Sequence, residues 1–340
     1  MRVTYLAATM ALLIAAPVIG DMLPAPASIG ALEAQERDRQ REIEREKQRQ
    51  KERERRRAER DEEDDYDDEY RSRIDTTFNF TRDGVVDLSL VSGMIKVTGW
   101  SRGEIKINAS SEHGLVRLDA SPSRVALSVR SDRGRLGDTQ YEVSVPEGVR
   151  VITKAVSGDI SVTGTKGELE AGSVSGDVTV SDVTRRVEAS SVSGSVSVGR
   201  VQGDLRASSV SGDLQVTDVS GEVTAETVSG ELTLNRIRSR YVRSESVSGT
   251  VEFDGSIESN GRYEFHSHSG DVMLTVPDGM GATISVETYS GSIDSDFPIT
   301  LAPGQELGKG RRFDFTVGNG SARVTAETFS GNITISKGGR

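Results

Sequence analysis

Three histidines and a line of acids are the residues of this chain most able to do chemistry. Glu264, His266 and His268 alternate in "YEFHSHSG", and such spacing on a strand offers one metal-binding face. The register argues otherwise. Tyr263 and Phe265 occupy inward strand slots, and the three-residue step from Phe265 to His268 breaks the alternation. Glu264 and His266 are then expected to face solvent, while His268 turns inward. His113 is remote in sequence. A metal site is not expected here.

The acids Asp159, Asp177, Asp213, Glu231 and Asp271 each follow a Ser-Gly pair. Stacked at about 5 Å they would repel one another without cations, and calcium-binding β-rolls use such columns. This chain lacks the Gly-Gly-x-Gly-x-Asp pattern, and Ser195, Thr250, Ser292 and Asn332 interrupt the column. Each Asp is therefore expected to cap its own corner through local hydrogen bonds. The calcium column stands as the alternative. Serine is plentiful, but the histidines form no evident triad. The outward positions hold few aromatics and no groove of close carboxylates of the kind a polysaccharide-cleaving β-helix needs. The expectation is no catalytic residue and no cofactor.

The elements that position these residues come from repetition. Ser-Gly pairs fall at Ser157, Ser175, Ser193, Ser211 and Ser229, 18 residues apart, then at Ser248, Ser269 and Ser290, with further pairs at Ser92 and Ser330. A fixed period of this size marks a solenoid. The glycines Gly158, Gly176, Gly194, Gly212, Gly230, Gly249, Gly270, Gly291 and Gly331 supply the positive φ or the close approach that a corner requires. After Ser175-Gly176 the apolar columns are Val178, Val180, Val183, Val187, Ala189 and Val192. Each coil is thus two nine-residue halves, with a short strand and a corner in each.

The valine before Ser-Gly is read as the sixth inward column, through Val91, Val156, Val174, Val192, Val210, Val228 and Val247, with His268, Tyr289 and Phe329 widening the rod towards the C-terminus. Val86, Leu88, Ile95, Val97, Trp100, Ile105 and Ile107 fit the same columns. Strands without assigned coils are expected between Glu112 and Asp138. Phe297 to Asn319 reads as an inserted loop plus the strand "RRFDFTV".

Composition agrees with a narrow core. Aromatics are 5% of the 340 residues and glycines number 36. Cysteine is absent, which excludes disulfides, thiolate metal sites, a cysteine nucleophile and a lipidated N-terminal Cys. The net charge of −11 argues against nucleic acid as a partner.

Residues 1–34 read as a signal peptide. Arg2 precedes the apolar stretch Leu6 to Ile19, and cleavage is expected near Ala27 or Ala34. That stretch is about 14 residues, short of the ~20 a spanning helix needs. The mature form is expected to have no transmembrane span and to reside in the periplasm, at the cell surface or outside the cell. Residues 35–73 form a charged spacer, helical or disordered, with "QERDRQREIEREKQRQKERERRRAER" followed by the acidic "DEEDDYDDEY".

Two phrases carry a family likeness. "VPEGVRVITKAVSGDISV" (145–162) and "VPDGMGATISVETYSGSI" (276–293) both read Val-Pro-acid-Gly, alternating apolar residues, then Ser-Gly and a strand. With the run of Ser-Gly coils, the chain from about Ile74 to Lys337 resembles the bacterial putative-adhesin family of β-strand-repeat proteins, a domain of unknown function. The resemblance implies a β-solenoid, an envelope or surface location and no established catalytic residues.

The expectation is an all-β, single-chain parallel β-solenoid over residues 74–340, with about 18–21 residues per coil. Its function would be that of a non-enzymatic exported envelope module whose partner is an envelope polymer or protein. The alternatives are a calcium-dependent β-roll and a scaffold that self-associates through its solenoid ends. For the latter, the strand from Ser330 to Ser336 is read as an open edge. A polysaccharide-active enzyme is the weaker reading.

Overall fold

The structure is a computed structural model that describes residues 41–42, 44–56, 73–130, 137–298 and 311–338. The expected signal peptide and the acidic block lie outside the described residues. Residues 41–42 and 44–56 are helical and exposed, and Arg56 pairs with Glu52 four residues back at 3.1 Å. Among the described residues no helix is long and apolar enough to cross a membrane.

The remainder is strand. In chain order these are β1 (Arg73–Asn79), β2 (Val85–Trp100), β3 (Glu104–Ser111), β4 (Leu115–Ala120), β5 (Arg124–Arg130), β6 (Thr139–Pro146), β7 (Arg150–Thr163) and β8 (Leu169–Ser173). The central coils contain β9 (Val178–Val183), β10 (Val187–Ser191), β11 (Val196–Val201), β12 (Leu205–Ser209), β13 (Leu214–Val219), β14 (Val223–Ser229), β15 (Leu232–Ile237) and β16 (Tyr241–Ser248). The C-terminal coils contain β17 (Val251–Gly255), β18 (Arg262–Ser269), β19 (Val272–Pro277), β20 (Ala282–Ser290), β21 (Ile293–Ser295), β22 (Arg311–Val317), β23 (Ala322–Ser330) and β24 (Ile333–Gly338).

Alternation of small apolar residues makes these segments strands, and the 18-residue period stacks them as the repeat requires. Even-numbered strands β8 to β18 form one parallel stack and odd-numbered β9 to β19 the other. Partners lie residue on residue, as in Val187 against Leu169 and Leu205. Side chains from both stacks meet between them in a core of Val, Leu and Ala. Towards the C-terminus larger rings fill it. Phe253 packs on Tyr263 and Phe265 at centroid distances of 6.1 and 5.0 Å.

Chain order and stacking order differ at both ends. β2 lies between β7 and the outer coil of β5 and β6. β23 and β24 insert between β18/β19 and β20/β21. The edge expected at Ser330–Ser336 is therefore interior, because β24 is paired on both sides. Antiparallel strands close the array. β3 covers β6, with β1 outside it, and β4 covers β5. At the other end β22, the expected "RRFDFTV" strand, covers β20. Ile105 and Ile107 are buried as expected, but on antiparallel β3 and not in a coil.

The corners set the stacking. A Cβ on Gly194 would lie 2.2 Å from the carbonyl oxygen of Gly176, and one on Gly212 2.3 Å from that of Gly194. The glycines are thus needed for close approach, and of the nine only Gly230 has a positive φ. At the second corner the stacked residues Asp182, Arg200, Asp218 and Arg236 are all left-handed, with φ of 53–59°. Arg200 binds Asp182 through two hydrogen bonds of 2.6 and 2.7 Å, and Arg236 binds Asp218 through two of 2.8 Å. The guanidinium beside each aspartate holds its carboxyl below the usual range.

Gly194→Ala is expected to destabilise the fold by about 3 kcal/mol or more, because both clashing atoms are backbone. Gly199→Ala, which would meet only Thr217 O at 4.0 Å, is expected to stay within about 0.5 kcal/mol. Urea midpoints of the two variants check this. Asp182→Asn keeps a side chain that tolerates the left-handed region but removes the ion pair. A depressed carboxyl pKa stabilises the fold above the ordinary carboxylate range and ceases to do so as pH falls through the folded value. The variant is therefore expected to have a slightly lower midpoint than the parent at pH 7, and the two should converge in acid.

Candidate functional site

The feature that stands out is an apolar ridge at the Ser-Gly corner. In strand β10 the pleat places Val187, Ala189 and Ser191 inward. The next residue, Val192, must then point out. The same holds in each coil, so the inner corner column is Leu90 and Ala155 at the first two levels and then Ser173, Ser191, Ser209, Thr227, Ser246, Ser267, Thr328 and Thr288, all buried. Most of these hydroxyls donate to the glycine carbonyl of the preceding corner, as Ser173 does to Gly158 and Ser191 to Gly176, both at 2.9 Å.

This corrects the sixth core column. Val91, Val156, Val174, Val192, Val210, Val228 and Val247 are 37–49% exposed, and Phe329 and Tyr289 are 51% and 77% exposed. His268 also faces outward, where an inward turn was expected. Hydropathy alone placed the valine inside, whereas the two-residue pleat, carried one step further, puts the serine there. Among the described residues twelve large hydrophobic side chains are exposed, and nine of them lie in this one line. The other three are Met94, Leu115 and Met273.

Because the C-terminal coils interleave, the ridge ends in an aromatic stack. His268 lies 5.2 Å from Phe329, and Phe329 lies 4.9 Å from Tyr289, with rings within 8° of parallel. Ten positions at a coil spacing of about 4.8 Å give a length of about 43 Å. Such a line exposes several hundred Å², comparable with the largest apolar patches on monomeric proteins, which are often functional.

Carboxylates flank part of the ridge on each side, four of its ten levels on one and five on the other. Two residues before it, on the same strand face, stand Glu226, Glu245, Glu327 and Glu287. Their counterions stand beside or beyond them. Arg206 is 3.2 Å from Glu226, His266 is 3.2 Å from Glu327, Arg312 is 3.7 Å from Glu287, and Arg243 pairs with Glu245. Between this column and the valines runs a groove of about 500 Å³, lined by Glu226, Val228, Glu245, Val247, His266 and His268 among others.

On the other side lie Asp159, Asp177, Asp213, Glu231 and Asp271. The carboxylate of Asp159 accepts the backbone N–H of Asp177 at 3.0 Å, and that of Asp177 accepts the N–H of Ser195 at 2.8 Å. Asp213 accepts from Glu231 and Asp271 from Asn332, at 2.9 and 2.7 Å. Each of these aspartates therefore caps the next corner in the stack, not its own as expected. Glu231 accepts instead from the Thr233 hydroxyl at 3.4 Å. Among the described residues no three His, Asp or Glu side chains are grouped to hold a metal ion. Glu264 and His266 are half-buried on the outer face, and Tyr263 and Phe265 point inward as expected.

Three solved structures are similar to the chain. A putative cell adhesion protein from Clostridium sporogenes ATCC 15579 is 11% identical, with 78% of this chain and all of that one covered and a TM-score of 0.19. A putative adhesin from Bacteroides fragilis NCTC 9343 is 11% identical, with 78% and 98% covered and a TM-score of 0.35. A putative lipid binding protein from Parabacteroides distasonis ATCC 8503 is 12% identical, with 80% and 99% covered and a TM-score of 0.39. No curated protein matches the sequence. The likeness of the Val-Pro-acid-Gly and Ser-Gly phrases to a family of unknown function is confirmed by a family model that spans residues 137–336. This chain belongs to the Toastrack DUF4097 family.

Proposed function

We propose that the chain is a non-enzymatic, exported envelope module that binds a partner along its valine ridge. The observation that carries this reading is the alignment of nine exposed apolar side chains in one line, on a fold whose other outward positions are mostly Ser, Thr and charged residues. Water gains nothing from such a line, and a partner that covers it does. Export is supported by Arg2 followed by the apolar stretch Leu6 to Ile19. The non-enzymatic part is supported by the use made of the histidines. His266 contacts Glu327 and His268 stacks on Phe329.

The ridge reading is tested by placing a photo-crosslinking residue at Val210 or Val228, with Thr217 or Thr233 on the opposite stack as controls. Adducts are expected in exporting cells from the ridge positions and not from the controls. Equal yields, or none, would remove the ridge as a binding line. Val210→Ser and Val228→Ser are expected to change stability by less than about 0.5 kcal/mol, because both side chains already face water. Val219→Ala, in the core, is expected to cost about 2 kcal/mol. Protease added to intact cells, with a permeabilised control, assigns the compartment. Cleavage within residues 35–60 on intact cells indicates the surface, protection until permeabilisation indicates the periplasm, and a cytoplasmic protein refutes export. Chelation with EDTA is expected to leave the denaturation midpoint unchanged, since the aspartate column is occupied by backbone N–H groups.

A further inference from the structure

Over the four coils that line the groove, the ridge lies between Glu226 and Glu245 on one side and Asp213, Glu231 and Asp271 on the other, and that charge pattern selects its partner. Resting on the ridge as the binding line, we infer that the occupant is a basic amphipathic helix of a partner protein. Its apolar stripe would lie on the valines and its Lys or Arg side chains would face the flanking acids.

Charge separates the candidates. The two flanking columns contain nine carboxylates, against Lys154 and His266 as the only cationic or basic members. All four near-side acids have counterions: Arg206 and Arg243, one column further from the ridge, pair with Glu226 and Glu245, His266 pairs with Glu327, and Arg312 on β22 pairs with Glu287. A second copy of the chain, packed ridge to ridge, would bring these carboxylate lines against one another. An anionic bilayer would meet the same repulsion. A partner with cations on either side of an apolar stripe would instead place opposite charges together on both flanks.

Spacing separates helix from strand. Ridge side chains recur every ~4.8 Å along the rod. One face of an α-helix presents a side chain about every 5.4 Å of its length. An extended strand presents one about every 6.7 Å. Over the four coils that line the groove the helix falls out of step by only about 2 Å, which side-chain rotamers absorb, whereas the strand falls out of step by a whole residue. The groove beside Val228 and Val247 also gives a helix a concave seat next to the ridge.

The test uses the full mature chain and three labelled peptides of about 22 residues. One is a Leu/Lys helix with a leucine stripe. The second has the same residues scrambled so that no stripe forms. The third is the Leu/Glu counterpart. Binding is read by fluorescence anisotropy at low and moderate salt. The striped Leu/Lys peptide is expected to bind about tenfold or more tightly than the other two. The triple variant Val210→Ser/Val228→Ser/Val247→Ser is expected to weaken it about tenfold, and Glu226→Gln/Glu245→Gln is expected to weaken it and flatten its salt dependence.

Equal binding of the scrambled or Leu/Glu peptide, or full binding by the triple serine variant, would overturn the inference. Ridge-dependent self-association in sedimentation, or ridge-dependent binding to anionic vesicles, would overturn it too. In those last two cases, or if ridge cross-links form in cells while no peptide binds, the binding-line reading survives and only the partner class falls. Absence of ridge cross-links removes both.

Discussion

The contact of glycine on glycine at the Ser-Gly corner governs this molecule. The carbonyl oxygen of one corner occupies the place where a Cβ of the next would sit, at 2.1 Å for Gly176 on Gly158 and 2.1 Å for Gly331 on Gly270. No other residue allows that approach. Corners stacked this closely keep the strands between them in hydrogen-bonding register, so every sequence position becomes a column along the rod. One coil has too few apolar side chains to offset the entropy of ordering it, and the columns are how many coils share one core. Surface chemistry in such a fold is linear. Whatever residue type occupies an outward position is repeated at about 4.8 Å steps.

The inner corner shows how this constraint creates the ridge. A carbonyl brought so near the core needs a donor, and at six of the eight hydroxyl-bearing corners a short hydroxyl from the following coil supplies it, as Ser191 does for Gly176. That hydroxyl takes the last inward slot of its strand. The residue after it is then turned to solvent by the pleat, whatever its hydropathy. Polar residues could stand there without loss to the core, so valine at seven successive levels is not a packing requirement. At the C-terminal levels the same column becomes His268, Phe329 and Tyr289, and their stacking extends the line where the coils interleave.

Much of this was legible from residue order. The Ser-Gly spacing gave the coil, alternation gave five of its six inward columns, and Tyr263 and Phe265 were placed correctly inside. The sixth column was misread because an apolar residue was assumed to be buried. Val187 and Ala189 already set the parity that puts Ser191 in and Val192 out. His268 was misplaced by the same assumption. The interleaving of coils could not be read, since Ser290 and Ser330 begin interchangeable phrases and only three-dimensional closure decides their order. The aspartate bonds were placed one corner away from their real partners because sequence proximity favours local caps, whereas stacking brings the next coil's N–H as near as the residue's own.

The two corners of a coil treat charge differently, and this gives the rod a distinct side. At the second corner Asp182, Arg200, Asp218 and Arg236 alternate in sign, so two ion pairs, Asp182 with Arg200 and Asp218 with Arg236, satisfy them within the column. Arginine is a poor residue for a left-handed backbone, and the two-pronged bond to the aspartate beneath each one compensates for that choice. At the Ser-Gly corner the acids keep one sign along the column and are held by backbone N–H groups, which leave their charge in place. One corner is therefore neutralised internally, while the other combines like charge with an uncovered apolar line. A rod that only needed to be stable and soluble could use the first solution at both corners. Retaining the second along the rod leaves, among the described residues, one long edge where corner acids that keep their charge stand beside an uncovered apolar line.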